Sequence, residues 1–325
     1  MPLRLMHWGG VVLLALGAVV IRPEAAAKTP LVMPLTFPGA TSTTAIGINS
    51  EGNIVGNYVD NSFCFHGFLL AAGSYVKLDV PNATVTVARG INPLGDIVGF
   101  YSNADASRVC IPGAVAAPCP GCQGFLLRNG VYTAINVPFA GTTNTRAFGI
   151  NPQGDIVGRY TGGDGLQHGF LRSSGGTYTT IDFKDSLGNK AALTNAFGIN
   201  PRGEIVGTYS LTDPTCNSDC HSFLLLTDGT FTPLIVAVAV TATRGASPRV
   251  LARGINDRGN IVGSFDDGSG NDVPFLLELD DRRSSTLAVP ASNSDAFGIN
   301  ARGDIVGDYE DTSSVTHGFF LTRAL

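Results

Sequence analysis

The chain has 325 residues, of which 44% are hydrophobic and only 14% are charged, with 41 glycines and 18 prolines. This composition excludes a disordered chain, which would be rich in charge and poor in apolar residues, and a coiled coil, which would contain few glycines. The net charge of −5 argues against a nucleic-acid partner, because proteins that bind nucleic acids carry a basic surface.

The N-terminal segment has the pattern of an export signal. Arg4 provides a positive charge, residues 9–21 form an apolar run, and residues 25–27 are alanines that a signal peptidase accepts. The apolar run has 13 residues, whereas about 20 are needed to span a membrane. We therefore predict a signal peptide at residues 1–27, an extracellular or periplasmic location, and no transmembrane segment after cleavage.

One phrase, Gly-Ile-Asn-x-x-Gly-x-Ile-Val-Gly, occurs six times in the rest of the chain. Each copy is preceded by an alanine two residues earlier and is followed by a Phe-Leu-Leu-like run and a further short apolar segment. The copies begin 43 to 59 residues apart, at Gly47, Gly90, Gly149, Gly198, Gly254 and Gly298. The chain is therefore built from six copies of one unit.

Each unit contains four short segments with the alternating apolar pattern of β-strands, which we name A, B, C and D. In the third unit they span residues 147–150, 155–160, 168–172 and 178–183. Between A and B, the sequence Asn-Pro-Gln-Gly (residues 151–154) predicts a type I turn in which the asparagine caps, the proline presets φ and the glycine takes a positive φ.

Units of four strands at this spacing are typical of a β-propeller, whereas a parallel β-helix would need shorter and more uniform coils. The glycine of strand A fits crowding at the propeller axis. The last copy has no D strand of its own, but residues 32–37 resemble the D strands and can complete it, leaving no open edge. We predict an all-β, six-bladed β-propeller of four-stranded blades, one domain over residues 28–325, in which the N-terminal strand closes the last blade.

The phrases Gly-Ile-Asn-x-x-Gly-x-Ile-Val-Gly-x-Tyr and His-Gly-Phe-Leu resemble those of the HAF-repeat family of extracellular proteins. The His-Ala-Phe tripeptide that names this family is here His66-Gly67-Phe68 and its counterparts, so the central alanine is replaced. The resemblance covers nearly all of residues 32–321. It implies secretion and a propeller-like repeat, and it brings no established activity or catalytic residues.

The four histidines of the predicted mature chain all occupy the start of strand C. Strand C lies two strand spacings, roughly 10 Å, further from the axis than strand A, so histidines on different blades cannot converge on one metal ion. We predict a structural hydrogen bond at each blade corner, and no metal site, for His66, His168, His221 and His317.

Two arginines interrupt the repeat. The residue before Gly-Ile-Asn is aliphatic or aromatic in four units but is Arg89 in the second unit and Arg253 in the fifth. In a ring of six, these units face each other, so the two guanidinium groups could clamp an anion such as a carboxylate or phosphate at the central channel. The alternative is that each arginine lies between blades and binds backbone carbonyls.

The residue after each A–B turn is an acid or an amide. Calcium takes oxygen ligands of this kind, although the sequence lacks a dense Asp-x-Asp-x-Asp spacing, and turn chemistry alone accounts for the pattern. We predict no cofactor and keep calcium as an open alternative at Asn53, Asp96, Asp155, Glu204, Asn260 and Asp304.

All six cysteines lie after the predicted signal peptide, and export makes disulfides the default. A redox dithiol at Cys119-Pro-Gly-Cys122 lacks the strand-loop-helix context that such sites require. We predict the pairs Cys216–Cys220, Cys119–Cys122 and Cys64–Cys110, the last two among fifteen ways of pairing six thiols.

The A–B turns are uniform, whereas residues 102–123 and 238–249 form long loops on the B–C and D–A face. Because functional residues concentrate on loops held by a rigid scaffold, we predict a secreted, non-enzymatic propeller that binds an anionic ligand or an extracellular or envelope partner through this face. One alternative is a hydrolase or lyase acting on a polysaccharide or lactone at the channel mouth. Another is a structural protein of the cell envelope.

Overall fold

The computed structural model describes residues 22–23, 31–111, 119–185, 187–216, 220–236, 249–281, 283–289, 291 and 293–322. Within these residues the chain is all-β apart from one single-turn helix, α1 (Ala106–Val109), which the sequence did not predict. The predicted signal peptide lies outside the described residues except for the two-residue strand β1 (Arg22–Pro23).

The remaining strands follow the six copies of the repeat, here called units 1 to 6. Units 1 to 3 contain β3 (Ser42–Ile48), β4 (Ile54–Val59), β5 (Phe65–Ala71) and β6 (Ser74–Leu78); β7 (Val85–Ile91), β8 (Ile97–Ser102), β9 (Gln123–Arg128) and β10 (Val131–Ile135); and β11 (Thr143–Ile150), β12 (Ile156–Thr161), β13 (Gln167–Arg172) and β14 (Tyr178–Ile181). Units 4 to 6 contain β15 (Leu193–Ile199), β16 (Ile205–Ser210), β17 (His221–Leu225) and β18 (Phe231–Leu234); β19 (Val250–Ile255), β20 (Ile261–Asp266), β21 (Asp272–Glu278) and β22 (Arg283–Thr286); and β23 (Ser294–Ile299), β24 (Ile305–Glu310) and β25 (Thr316–Leu321), joined by β2 (Val32–Leu35).

Within each unit, neighbouring strands pair antiparallel in the order A, B, C, D. The sheets of units 3 and 4 are joined by a single parallel bridge between Gln167 and Leu193, and β1 adds in parallel to the outer edge of unit 5. In unit 6, the outer position is taken by β2, which pairs antiparallel with β25 so that Val32 lies opposite Leu321. The N-terminal strand thus lies where the sequence places it.

The A strands contact one another in a closed order: β3, β7, β11, β15, β19, β23 and again β3. The motif glycine lies at each of these contacts. A Cβ atom built on Gly149 would lie 2.7 Å from the carbonyl oxygen of Phe197, and one on Gly298 would lie 2.5 Å from that of Ile46, where the last unit meets the first. These glycines are therefore required by the close approach of neighbouring backbones.

The motif asparagine also links neighbouring units, a role that the sequence did not predict. Its Oδ1 accepts a hydrogen bond within the A–B turn, as from the N–H of Asp155 to Asn151 (2.8 Å), and Gly154 ends that turn with φ 88°. In five copies its Nδ2 donates to the carbonyl of the asparagine in the next unit: Asn49 to Asn92, Asn92 to Asn151, Asn200 to Asn256, Asn256 to Asn300, and Asn300 to Asn49.

The hydrophobic core lies between the faces of neighbouring sheets. Phe170 of strand C, for example, packs with Ile150 and Ile156 of its own unit and belongs to the same cluster as Val98 of the preceding unit. The corresponding phenylalanines are at most 1% exposed: Phe68, Phe125, Phe170, Phe223, Phe275 and Phe319. Each sheet is therefore stabilised mainly by burial against its two neighbours.

We expect Gly149→Ala to lower the free energy of unfolding by about 1–3 kcal/mol, because the new methyl group would clash with a backbone carbonyl that is held in place by its own sheet. Urea denaturation would measure the change. The control is Gly175→Ala, where a Cβ atom would find its nearest neighbour at 3.7 Å; this change should stay within about 0.5 kcal/mol. Equal losses in the two variants would contradict the packing argument.

Candidate functional site

The residue before each Gly-Ile-Asn motif points to the centre of the ring of A strands. Together these residues line a cavity of about 40 Å³: Ile46, Arg89, Phe148, Phe197, Arg253 and Phe297, here called the axial ring. Arg89 and Arg253 thus border the same cavity, as the clamp hypothesis requires. The alternative, in which they bind backbone carbonyls between sheets, is not observed: within the residues that the structure describes, neither guanidinium has a hydrogen bond or ion pair.

Aromatic rings hold the two guanidinium groups in place. The guanidinium carbon of Arg89 lies 5.3 Å from the ring centre of Phe148, and that of Arg253 lies 4.6 Å from the ring centre of Phe197 and 5.7 Å from that of Phe297. The face of an aromatic ring carries negative potential and attracts a cation. The phenylalanines of the axial ring therefore position the arginines without neutralising their charge.

Burial at the centre of the molecule lowers the pKa of Arg89 to about 9, and the positive charges of Arg253 and Arg146 add to this effect. Burial also lowers the pKa of Arg253. Both shifts record the cost of burying a cation away from bulk water, a cost that a bound anion would reduce.

A second set of side chains lies next to the axial ring. It consists of the residue two positions before each axial-ring residue on strand A and of its paired residue on strand B. Unit 3 contributes Arg146 and Arg159, which are directly paired, and unit 6 contributes the paired residues Asp295 and Asp308. We call the twelve residues at this register the polar layer, although three of them are apolar (Val87, Phe100 and Leu251). The other pairs are Thr44 and Asn57, Val87 and Phe100, Asn195 and Thr208, and Leu251 and Ser264.

The arginines of unit 3 extend the cationic cluster. Burial lowers the pKa of Arg146 to about 10 and, together with the neighbouring arginines, that of Arg159 to about 9. Arg159 donates hydrogen bonds to Gln167 and to Asn195. The Nε of Arg146 is buried and has no partner among the described residues.

The carboxyl groups of unit 6 are held by hydroxyls from the units on either side. Thr44 Oγ1 donates to Asp308 Oδ2 (3.0 Å) and Ser264 Oγ donates to Asp295. Burial and the negative charge of Asp295 raise the pKa of Asp308 to about 8. The Asp308 carboxyl therefore keeps its proton in most molecules at neutral pH, close to the arginine cluster.

The long loop of unit 2 covers the apolar side of the channel. Its helix α1 begins after Asp105, whose side chain accepts a hydrogen bond from the N–H of Ser107, and the fully buried Val109 packs in one cluster with Val87 and Phe100. The structure contains the three disulfides that the sequence predicts: Cys64–Cys110, Cys119–Cys122 and Cys216–Cys220. The first ties this loop to unit 1. Residues 112–118 and most of the second long loop, at 237–248, lie outside the described residues.

The histidines form hydrogen bonds at the corners of the units. His66 Nδ1 lies 3.1 Å from the carboxylate of Asp79, and its Nε2 lies 3.2 Å from that of Asp60. His168 contacts Asp182 and Asp164 in the same way, and His317 contacts Asp311. Each of the four histidine rings also lies beside a tyrosine of strand B, as His221 does beside Tyr209.

The acids that follow the A–B turns are engaged by the turn itself or by neighbouring hairpins. Asp96 accepts two hydrogen bonds from Arg128, and Asp155 accepts one from the N–H of Ser174. Among the residues that the structure describes, no three His, Cys, Asp or Glu side chains are grouped to hold a metal ion. The described part of the chain also has no helix long and apolar enough to cross a membrane.

No family model and no curated protein matches the sequence. Among solved structures, a triple arginine-to-alanine variant of AofleA from Arthrobotrys oligospora is 9% identical and covers 95% of this chain and 91% of its own, with a TM-score of 0.51. A proposed gluconolactonase is 14% identical with a TM-score of 0.50, covering 90% of this chain and 92% of its own. The fucose-binding lectin of Aleuria aurantia, a six-bladed β-propeller, is 14% identical with a TM-score of 0.45, covering 76% and 78%. At these identities the likeness concerns the fold alone.

The His66 cluster predicts a pH-dependent stability. Its hydrogen bond to Asp79 raises the pKa of His66 above the ordinary 6.5, so protonated His66 stabilises the folded state fully below pH 6.5 and loses this effect as the pH rises through the folded-state pKa. We expect His66→Gln to lower the free energy of unfolding by about 1–3 kcal/mol at pH 6 and by less at pH 9, measured by urea denaturation.

Asp79→Asn serves as the companion variant, because it removes the acceptor and keeps the histidine. It should show the same larger loss at pH 6 than at pH 9. A loss that is the same at both pH values in the two variants would contradict the ionic character of this hydrogen bond.

Proposed function

We propose that this chain is a secreted, six-bladed β-propeller of the HAF-repeat type that binds an anionic ligand at its central channel. The closed order of contacts among the A strands supports the ring, and the antiparallel pairing of β2 with β25 supports closure of the last four-stranded blade by the N-terminal strand. Three disulfides support an extracellular or periplasmic location.

The observation that carries the ligand assignment is the set of buried guanidinium nitrogens without partners. The Nε atoms of Arg89, Arg146 and Arg253 are buried, and none has a hydrogen-bond partner within the described residues. Leaving charged donors unsatisfied inside a protein is costly unless an opposite charge pairs with them. A carboxylate or phosphate oxygen supplies both the charge and the acceptors, since guanidinium groups match the geometry of such anions.

The size of the cavity limits what enters it. A volume of about 40 Å³ accommodates one or a few water molecules, and so a small anion or the anionic end of a larger ligand. A sugar ring does not fit in it. The ligand reaches the cavity from the B–C and D–A loop face, because the polar layer lies between the axial ring and that face.

The enzymatic alternative, a hydrolase or lyase for a lactone or polysaccharide, has one observation in its favour. The Asp308 carboxyl interacts electrostatically with Arg89 and Arg253, and its raised pKa, about 8, suits a general acid at neutral pH. The third candidate, a structural protein of the envelope, would need no ligand in the channel.

Binding of small anions to the mature protein tests the proposal. Acetate, gluconate, galacturonate and phosphate would be titrated by calorimetry, with L-fucose as a neutral sugar. We expect at least one anion to bind, and Arg89→Met and Arg253→Met each to weaken its binding about 10- to 100-fold, because each removes a charged hydrogen bond and keeps the side-chain volume.

Arg258→Met is the matched control, since Arg258 is an exposed arginine of unit 5 that lies in the A–B turn. It should leave binding unchanged. If no anion binds the wild-type protein, or if Arg258→Met weakens binding as much as Arg253→Met does, the channel site is wrong. Turnover of gluconolactone that is lost in Asp308→Asn would favour the enzyme instead.

A further inference from the structure

The polar layer is asymmetric in charge. Unit 3 presents Arg146 and Arg159 at the register where unit 6 presents Asp295 and Asp308. In the closed order of A strands these units are three places apart, so cationic and acidic side chains occupy opposite sides of the same channel. Such an arrangement distinguishes the two ends of a ligand.

Each carboxyl of unit 6 has one oxygen without a partner. Thr44 donates to Oδ2 of Asp308, and Ser264 donates to Oδ1 of Asp295. Within the described residues, the other oxygen of each carboxyl receives no hydrogen bond. These two oxygens remain available to accept hydrogen bonds from a ligand.

The unpartnered guanidinium groups give an independent sign of a ligand at the same place. The Nε atoms of Arg89, Arg146 and Arg253 are buried without partners among the described residues, and Asp308 interacts electrostatically with Arg89 and Arg253. The free acceptors and the free donors therefore belong to one connected cluster.

We propose that the channel binds a small hydroxycarboxylate, its carboxylate on Arg89, Arg146 and Arg253 and its hydroxyl on Asp295 and Asp308. This inference rests on the proposed anion site and adds the chemical class of the ligand. The four arginines outnumber the two aspartates, so a ligand with a net negative charge is preferred over a zwitterion.

The burial of Asp308 supports a hydroxyl as the second group. Burial and Asp295 raise the pKa of Asp308 to about 8, so at neutral pH Asp308 mostly keeps its proton. A protonated carboxyl can donate one hydrogen bond and accept another, which suits a hydroxyl, itself both donor and acceptor. An ammonium group only donates, so it offers no acceptor to the protonated Asp308.

The test compares acetate, glycolate and glycine, which share a carboxylate and differ in the second group. We expect the mature protein to bind glycolate at least tenfold more tightly than acetate, and glycine no more tightly than acetate, by calorimetry or ligand-observed NMR. Asp308→Leu, which keeps the branched shape of the side chain and removes its hydrogen-bonding atoms, should bring the ratio of glycolate to acetate affinity close to one.

Arg89→Met should weaken both ligands by the same factor and leave their ratio unchanged. Asp308→Asn keeps a hydrogen-bonding group and provides a second variant if Asp308→Leu fails to fold; it should keep part of the preference. Acetate binding without any preference for glycolate would overturn this inference and leave the anion site standing. Tighter binding of glycine would overturn it in favour of an amino acid. Absence of acetate and glycolate binding would also overturn it, and would remove the anion site itself if gluconate, galacturonate and phosphate fail to bind as well.

Discussion

The close approach of neighbouring A strands at the axis is the constraint on which the other features depend. The motif glycine allows a backbone carbonyl of the next unit to lie where a side chain would otherwise be. Since a strand alternates its side chains, this contact also fixes the direction of the preceding residue, which points into the axis in every unit. The composition of the central cavity is therefore decided by one position in each repeat.

That geometry explains why two arginines among six positions have so large an electrostatic effect. Arg89 and Arg253 come from distant parts of the sequence, yet they border one small cavity, and the charge of Arg253 adds to the lowering of the pKa of Arg89. Phenylalanines on the neighbouring units hold them by their ring faces. The repeat brings the equivalent position of every unit to one cavity. A residue that differs from its counterparts at this position therefore changes the character of the whole cavity.

The repeated phrase predicted most of the fold and, through its two exceptions, part of the candidate site. The strands, the turn glycines and the placing of the N-terminal strand follow from the repeated phrase, and Arg89 and Arg253 were found because they interrupt it. Arg146 and Asp308 were missed because they lie at positions where each unit already differs from the next, so neither stands out. Recognising them requires the register between strands A and B, which only the structure provides. The single-turn helix α1 was missed because four residues are too few to show a helical period.

The residues around the centre of the molecule are apolar on one side and polar on the other. On the side of units 1 and 2, Val87, Phe100 and the loop residue Val109 form a buried apolar cluster, and the Cys64–Cys110 disulfide fixes the loop over it. On the side of units 5 and 6, polar residues continue outward from Asp295, with Arg249 paired to Asp272. Desolvation would make a polar ligand unfavourable against the apolar cluster. A polar ligand of the proposed kind would therefore be favoured on the side of units 5 and 6, whereas the disulfide-bonded loop adds Val109 to the apolar cluster on the opposite side.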